Sequence, residues 1–329
     1  MAGSFLFLPT RKTPPPKPPV LLGAVRLVCN QAPKGYPLHQ LLFGYTAGAI
    51  SMNRLKIEKR ADVIAHLVRG VSVRDTAALT KVSPTTVLKL LEEIGAECAV
   101  YLHYNMVKLP CTKIQADEMW SFVKMKEKNV PPYLKGQLGY GDTWSWLAFC
   151  PDSKLVPCFL VGRRDTENAI RFIDDLSWRF GSRVQLSSDG LAIYKEAVEL
   201  AFGGNVDFAM LKKRYGGVRV FQDGTTKRCR TNEFSGSSKE VVCGRPDFAH
   251  ITTAGVERVN RTSRSGVRRL ARRTDAHSKK LANHHYMTAI FYAYYNYCRI
   301  HSSLRTTPAQ AAGLERRVWD IEDIVKLAA

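Results

Sequence analysis

Apolar positions three and four apart open the coherent part of the chain. Leu55 to Val68 puts Val63, Ile64, Leu67 and Val68 on one helical face, and Gly70 ends that helix. Ser72 caps a second helix, with Asp75 as its capping-box partner, and Ser83 caps a third with Pro84 at its first position. Only Lys81 and Val82 separate the last two, and Ala77, Val82, Val87 and Leu90 point inward. That is helix-turn-helix spacing, and it leaves Thr85, Thr86 and Lys89 facing outward, as on a recognition helix. From Lys113 the period changes. Lys113 to Val123 alternates, and Thr143 to Cys150 and Lys154 to Val161 are two more apolar runs joined at Pro151–Asp152–Ser153. A helix follows from Thr166 to Phe180, capped by Asp165 and apolar at Ala169, Phe172, Ile173, Leu176 and Phe180. Val184 to Ser188 is a short strand, Leu191 to Phe202 a helix, and Val206 to Leu211 a fifth strand.

Three strands, helix, strand, helix, strand is a specific order. The first three strands form an antiparallel meander, and the helices then cross over to parallel neighbours. The expected fold class is α/β: a ribonuclease H-like mixed sheet preceded by an all-α helix-turn-helix domain. Residues 1–51, with the proline tract RKTPPPKPPV, read as a poorly ordered arm, and Met52 stands where a natural start could lie. The helical domain spans 52–98 and the catalytic domain 110–300. A basic, glycine-containing insertion with hairpin content fills 212–253, and a helical tail fills 301–329. The aromatic stripe between Leu281 and Cys298 (Tyr286, Phe291, Tyr292, Tyr295 and Tyr297 among it) reads as core rather than a stacking platform.

Composition narrows the partners. In 329 residues, 49 Lys and Arg face 29 Asp and Glu, a formal charge of +20 that is not confined to a tail. On a folded protein such an excess points to nucleic acid. Eight cysteines with no CxxC spacing argue against a zinc ribbon or finger and read as reduced thiols. No apolar run is long enough for a membrane span or a signal segment. The expected location is cytoplasmic and nucleoid-associated, with no membrane partner.

The chemistry gathers around Thr252 to Lys280. On a helix there, Glu257, Asn260, Arg261 and Arg264 share one face. From Arg258 to Lys280 nine Lys or Arg stand against one acid, Asp275, so the segment does not neutralise itself. Arg268, Arg269, Arg272 and Arg273 continue the run toward a phosphate-gripping surface. Two further acids stand at telling places: Asp117 in mid-strand, and Asp189 where a strand ends and Gly190 lets the chain turn away. Carboxylates are the ligands magnesium prefers. Glu118 competes with Asp117, because a register error would exchange them. Asp117 is favoured because its strand face carries Gln115 and Ser121, whereas the other carries Ile114, Ala116, Trp120 and Phe122.

These residues sit in recognisable strings: ADEMWSFV at 116–123, Ser188–Asp189–Gly190 followed by Tyr194, VERVN at 256–260, SKK at 278–280 and TPAQAAGL at 307–314. Over residues 52 to 320 the chain resembles the DDE transposases of bacterial insertion sequences, most closely the InsB-type branch, although Val259 stands where that pattern carries Gln. The resemblance implies Asp117, Asp189 and Glu257 as catalytic acids holding two Mg²⁺ or Mn²⁺ ions, with Asn260 and Arg264 supporting them. It implies double-stranded DNA as partner, both element ends and target, and a homodimer or larger assembly on it. Two alternatives stay open: a non-catalytic, domesticated transposase that regulates by binding DNA, and a ribonuclease H-like repair nuclease.

Overall fold

The computed structural model describes residues 54–221 and 223–328. The expected N-terminal arm lies outside them. Three helices come first: α1 (Ile57–Leu67), α2 (Val73–Thr80) and α3 (Pro84–Asn105). Their ends form as the side chains dictate. Ser72 Oγ accepts the Asp75 amide at 3.1 Å and donates to its carboxylate at 2.7 Å, and Ser83 Oγ accepts the Thr86 amide at 3.1 Å. Lys81 takes the left-handed conformation in the turn (φ 53°). Val63, Ile64, Val87, Leu91 and Ile94 fill the space between the helices.

The sheet follows, with β1 (Lys113–Val123), β2 (Gly141–Phe149), β3 (Phe159–Gly162), β4 (Val184–Asp189), β5 (Val206–Val220) and β6 (Thr226–Cys243). Its order is β3-β2-β1-β4-β5-β6. β1, β2 and β3 are antiparallel neighbours, while β4 joins β1, and β5 joins β4, in parallel. This is the ribonuclease H-like arrangement, with one strand added at the β5 edge. Helices α4 (Thr166–Ser177) and α5 (Ile193–Phe202) make the crossovers, and Asp165 caps α4 by accepting the Asn168 amide at 2.9 Å. Against the opposite face lie α6 (Ala254–Gly266) and α7 (Leu281–Ala293), the latter prolonged by a π-helical turn, Tyr294–Cys298. The short helices α8 (Pro308–Ala311) and α9 (Ile321–Lys326) close the chain. No described helix is long and apolar enough to cross a membrane.

Two expectations need correction, and two gain detail. The third strand starts at Phe159, not Lys154. Pro157 has no N–H for a ladder, and Asn296 takes both backbone groups of Val156, accepting from its amide at 3.0 Å and donating to its carbonyl at 2.9 Å. The helical unit does not end at 98, because α3 runs on to Asn105 and its second half packs along α7. The tail joins that helical layer: Ile324 and Val325 of α9 are buried, and the Ala328 carbonyl accepts from Arg60 at 3.4 Å. The basic insertion is largely ordered strand, a long antiparallel β5–β6 ribbon with register shifts around Arg214, Tyr215 and Gly217.

Burial of the aromatic stripe holds as expected: Phe291, Tyr292, Tyr295 and Tyr297 are each about 1% exposed or less. The α3–α7 contact is closest at Gly95, where an added Cβ would lie 2.4 Å from Tyr286 Cβ and 2.9 Å from its carbonyl oxygen. Neither helix backbone can yield cheaply. Gly95→Ala is therefore expected to destabilise by roughly 1–3 kcal/mol despite its better helix propensity, read as a lower urea midpoint at unchanged slope.

Candidate active site

Asp117 sits at the centre of β1, opposite Leu147 of β2. On its other side β4 pairs only as far as Ala116↔Ser188, so Asp189, the last residue of β4, comes beside it just where that ladder ends. The Asp189 carboxylate also accepts the Leu191 amide at 3.0 Å, which shapes the turn at Gly190. Successive strand residues point to opposite faces. Asp117 faces α6 and Glu118 faces the α4–α5 side. Because β4 stops here, Asp189 serves both, and the ligand atoms of Asp117, Glu118 and Asp189 all lie within 4.8 Å of one another.

The α6 side is built by two amide side chains. Gln115 Oε1 accepts the Val256 amide at 2.9 Å and seats the start of α6 on β1. Asn260 Nδ2 donates to Asp117 Oδ2 at 2.8 Å one turn further on. Close seating is possible because Gly255 has no Cβ, which would fall 2.5 Å from the Phe149 ring. Glu257 lies between these anchors. It accepts from Thr253 Oγ1 at 2.5 Å and from Lys213 Nζ. The α5 side is built by Arg164 and Tyr194. Arg164 Nε donates to Glu118 Oε2 at 3.1 Å, and its Nη2 lies 3.8 Å from Asp189 Oδ2. The guanidinium stacks over the Trp144 ring at 4.8 Å.

Electrostatics follow from this crowding. Burial, then the charges of Asp189 and Glu257, push Asp117 up to about 7, against the opposing pull of the Glu118 backbone and Lys213. Burial, then Asp189 and Asp117, push Glu118 up to about 7, against Tyr194 and Arg164. Glu118 Oε1 and Asn260 Oδ1 are buried without a well-formed hydrogen bond. Clustered carboxylates of raised proton affinity beside orphaned oxygens form a hard, all-oxygen donor set, which fits a magnesium- or manganese-sized ion.

The arginine run is not one helix. α6 stops at Gly266, where a side chain would meet the Phe291 ring at 2.4 Å, and Val267 turns extended. Arg268–Leu270 is a single 3₁₀ turn that buries Leu270. Glu257, Asn260, Arg261 and Arg264 do share α6, but only Arg261 is exposed. Arg264 Nη1 donates to the Leu270 carbonyl at 3.0 Å, and Asn260 is 7% exposed. Arg269 points inward, donating to the Asn283 carbonyl at 2.9 Å, and burial lowers its pKa to about 10. Arg268, Arg272 and Arg273 are exposed. Thr85 and Lys89 are exposed on α3, while Thr86 is half-buried and within 2.8 Å of Ser83 Oγ. Sequence reasoning set Glu118 aside and missed Lys213, Arg164 and Tyr194. Only Tyr194, five residues after Asp189, left a trace in a motif.

No protein-family model matches the chain, and no curated protein matches it. Among solved structures, it is similar to piggyBac transposase in a synaptic complex with hairpin DNA: 9% identity and a TM-score of 0.40, covering 88% of this chain and 74% of that one. Mos1 transposase in a paired-end complex with the left transposon end gives 15% identity and a TM-score of 0.19 over 49% of this chain and 61% of that one. The Mos1 mariner paired-end complex with Mn gives 15% and 0.20 over 50% and 61%. At these scores the assignment of fold rests on the strand order itself.

Both raised carboxyls bind protons in the folded state that the unfolded chain has already lost. Stability of the metal-free protein therefore falls as pH rises from about 4 to about 7 and stays low above that. Asp117→Asn keeps the Asn260 contact and removes one charge. In EDTA it is expected to raise the melting temperature by a few °C at pH 8 and by nothing at pH 4, measured by thermal unfolding at both pH values.

Proposed function

We propose that the chain is a metal-dependent DDE transposase of the bacterial insertion-sequence type, cutting element ends and joining them to target DNA. The observation that supports this reading is the carboxylate cluster of Asp117, Asp189 and Glu118 within 4.8 Å, with Glu257 outside that cluster but on the helix whose Asn260 holds Asp117. Asp117 and Asp189, with Glu257 and the neighbouring Glu118, are the residues that would hold divalent ions. Two such ions supply activation of the attacking oxygen and stabilisation of the leaving one in phosphodiester displacement. The chain's own part is positional. Asn260 holds Asp117 in one orientation, Gln115 fixes the helix that brings Glu257, and Arg164 restrains Glu118 and Asp189.

DNA contact falls to the exposed basic surfaces. Thr85 and Lys89 on α3 would face a groove of the element ends. Arg261, Arg268, Arg272 and Arg273 lie on and just after the helix that carries Glu257, and the ribbon adds Arg214, Lys227, Arg228 and Arg230, all exposed. Asn260, Arg264 and Arg269 act within the protein instead. Pairing of two ends requires a homodimer or larger assembly on DNA.

A supercoiled plasmid carrying the DNA that flanks the gene tests the enzymatic reading. Nicking is expected in Mg²⁺ or Mn²⁺, none in EDTA, and none by Asp117→Asn, which still shifts the same DNA in a gel. Binding without nicking under every metal condition would assign the chain instead to a non-catalytic DNA-binding regulator. Salt dependence separates the arginines. Arg272→Ala and Arg273→Ala are each expected to flatten the log–log salt slope of DNA binding by about 0.9. Arg269→Ala should lower the melting temperature, because it removes a buried hydrogen bond to the Asn283 carbonyl and the packed side chain that makes it.

A further inference from the structure

β5 leaves β4 at the pair Asp189↔Leu211 and runs on into the ribbon with only β6 beside it. The first residues past that point are Lys212 and Lys213, on opposite faces. Lys212 reaches Glu240 at 2.6 Å, a carboxylate that also takes Lys195 at 2.7 Å. That trio is an ion-pair network on the far side of the sheet from α6. Lys213 reaches the near side, where its ammonium donates to Glu257. The same ammonium lies near enough to Asp117 to oppose the charge of Glu257 on it. So a cation from the root of the ribbon already pairs with the acid of α6 and acts on the acid of β1.

We propose that Lys213 is the resident cation of this site in the metal-free protein, and that a divalent ion must displace its ammonium from Glu257 to complete its ligand set. The inference rests on the divalent-ion reading above and adds the residue that regulates loading. Arg164, the other cation at the site, is not an equivalent competitor. It is a planar fork held on buried Glu118 and stacked over Trp144. Lys213 is a compact point charge on a flexible stem, without a planar fork or a ring stack to fix it, and its side chain is 26% exposed. The carboxylate it holds is 39% exposed and so open to an ion from solvent. A carboxylate oxygen already engaged by an ammonium is a poorer ligand, and two cations on one carboxylate repel. Lys213 thus neutralises the acids while the site is empty and raises the metal concentration needed to fill it. Because it sits at the ribbon's root, loading also changes what anchors the ribbon to α6.

Isothermal titration of the DNA-free full chain with Mn²⁺ tests this without any turnover. Lys213→Met and Lys213→Gln, which remove the charge and keep much of the stem, are expected to bind Mn²⁺ on the order of tenfold more tightly than the unsubstituted chain. Lys213→Arg, which keeps a cation there, should not tighten binding. Lys212→Met should leave it unchanged. In a Glu257→Gln background the gain from Lys213→Met should vanish, since the two act on one oxygen. If the unsubstituted chain binds Mn²⁺ and loses it in Asp117→Asn, yet Lys213→Met and Lys213→Gln bind equally or more weakly, the inference is overturned and the metal site stands. If the unsubstituted chain and Asp117→Asn alike bind no Mn²⁺, the metal site falls and this inference falls with it.

Discussion

Like charge held in a confined space is the constraint on which this structure turns. β1 carries two adjacent carboxyls, one on each face, and Asp189 arrives beside both where β4 ends. Burial and mutual repulsion raise the proton affinity of Asp117 and Glu118 into the neutral range. Such a cluster persists only where surrounding groups over-determine it. Here the sheet ladder, the Gln115 and Asn260 anchors on α6, and the Arg164–Trp144 stack share that task. The price is stability at neutral pH in the absence of a counter-cation.

The rest of the molecule serves to hold α6 against β1. Gly255 lets the helix approach Phe149, and Gly266 ends it against Phe291 of α7. α7 is in turn clamped by α3 through Gly95, and α9 returns to α1. The N-terminal helices and the sheet are therefore joined by one hydrophobic core rather than by a linker. A change in how α3 is seated has a direct packing route, through α7, to the helix that carries Glu257. The β5–β6 ribbon has a second route, through Lys213. Elements expected to meet DNA thus connect to the acids by contacts of one or two residues.

Parts of the site were legible in the linear chain, and the reasons differ by residue. Asp117 and Asp189 were readable because strand periodicity and the Asp–Gly turn place them without knowledge of partners. Glu118 was set aside because alternation puts it on the opposite face, and only the termination of β4 lets one carboxylate reach around to both. The arginine run looked like a helix because its periodicity is helical through Arg264. Gly266 is the last residue of this helix, and the ring of Phe291 on α7 fills the place a side chain there would take. Arg269 is indistinguishable in sequence from Arg268, yet its guanidinium donates to an interior carbonyl. The ribbon was legible only as hairpin content within an insertion, without its strand bounds, because both of its faces are largely exposed and a strand without a buried face shows no apolar alternation.

The residues alone determined the strand and helix order, the helix caps at Ser72 and Ser83, the antiparallel-then-parallel sheet, and the basic surplus. Each follows from local spacing or from simple counting of charge. Which carboxylates share a pocket, which arginines face solvent, and which lysine neutralises Glu257 were decided only on folding. Those are properties of distances between segments as far apart along the chain as Lys213 and Glu257 or Asp117 and Asn260. No local pattern encodes such a distance, because it is set by how sheet and helices pack.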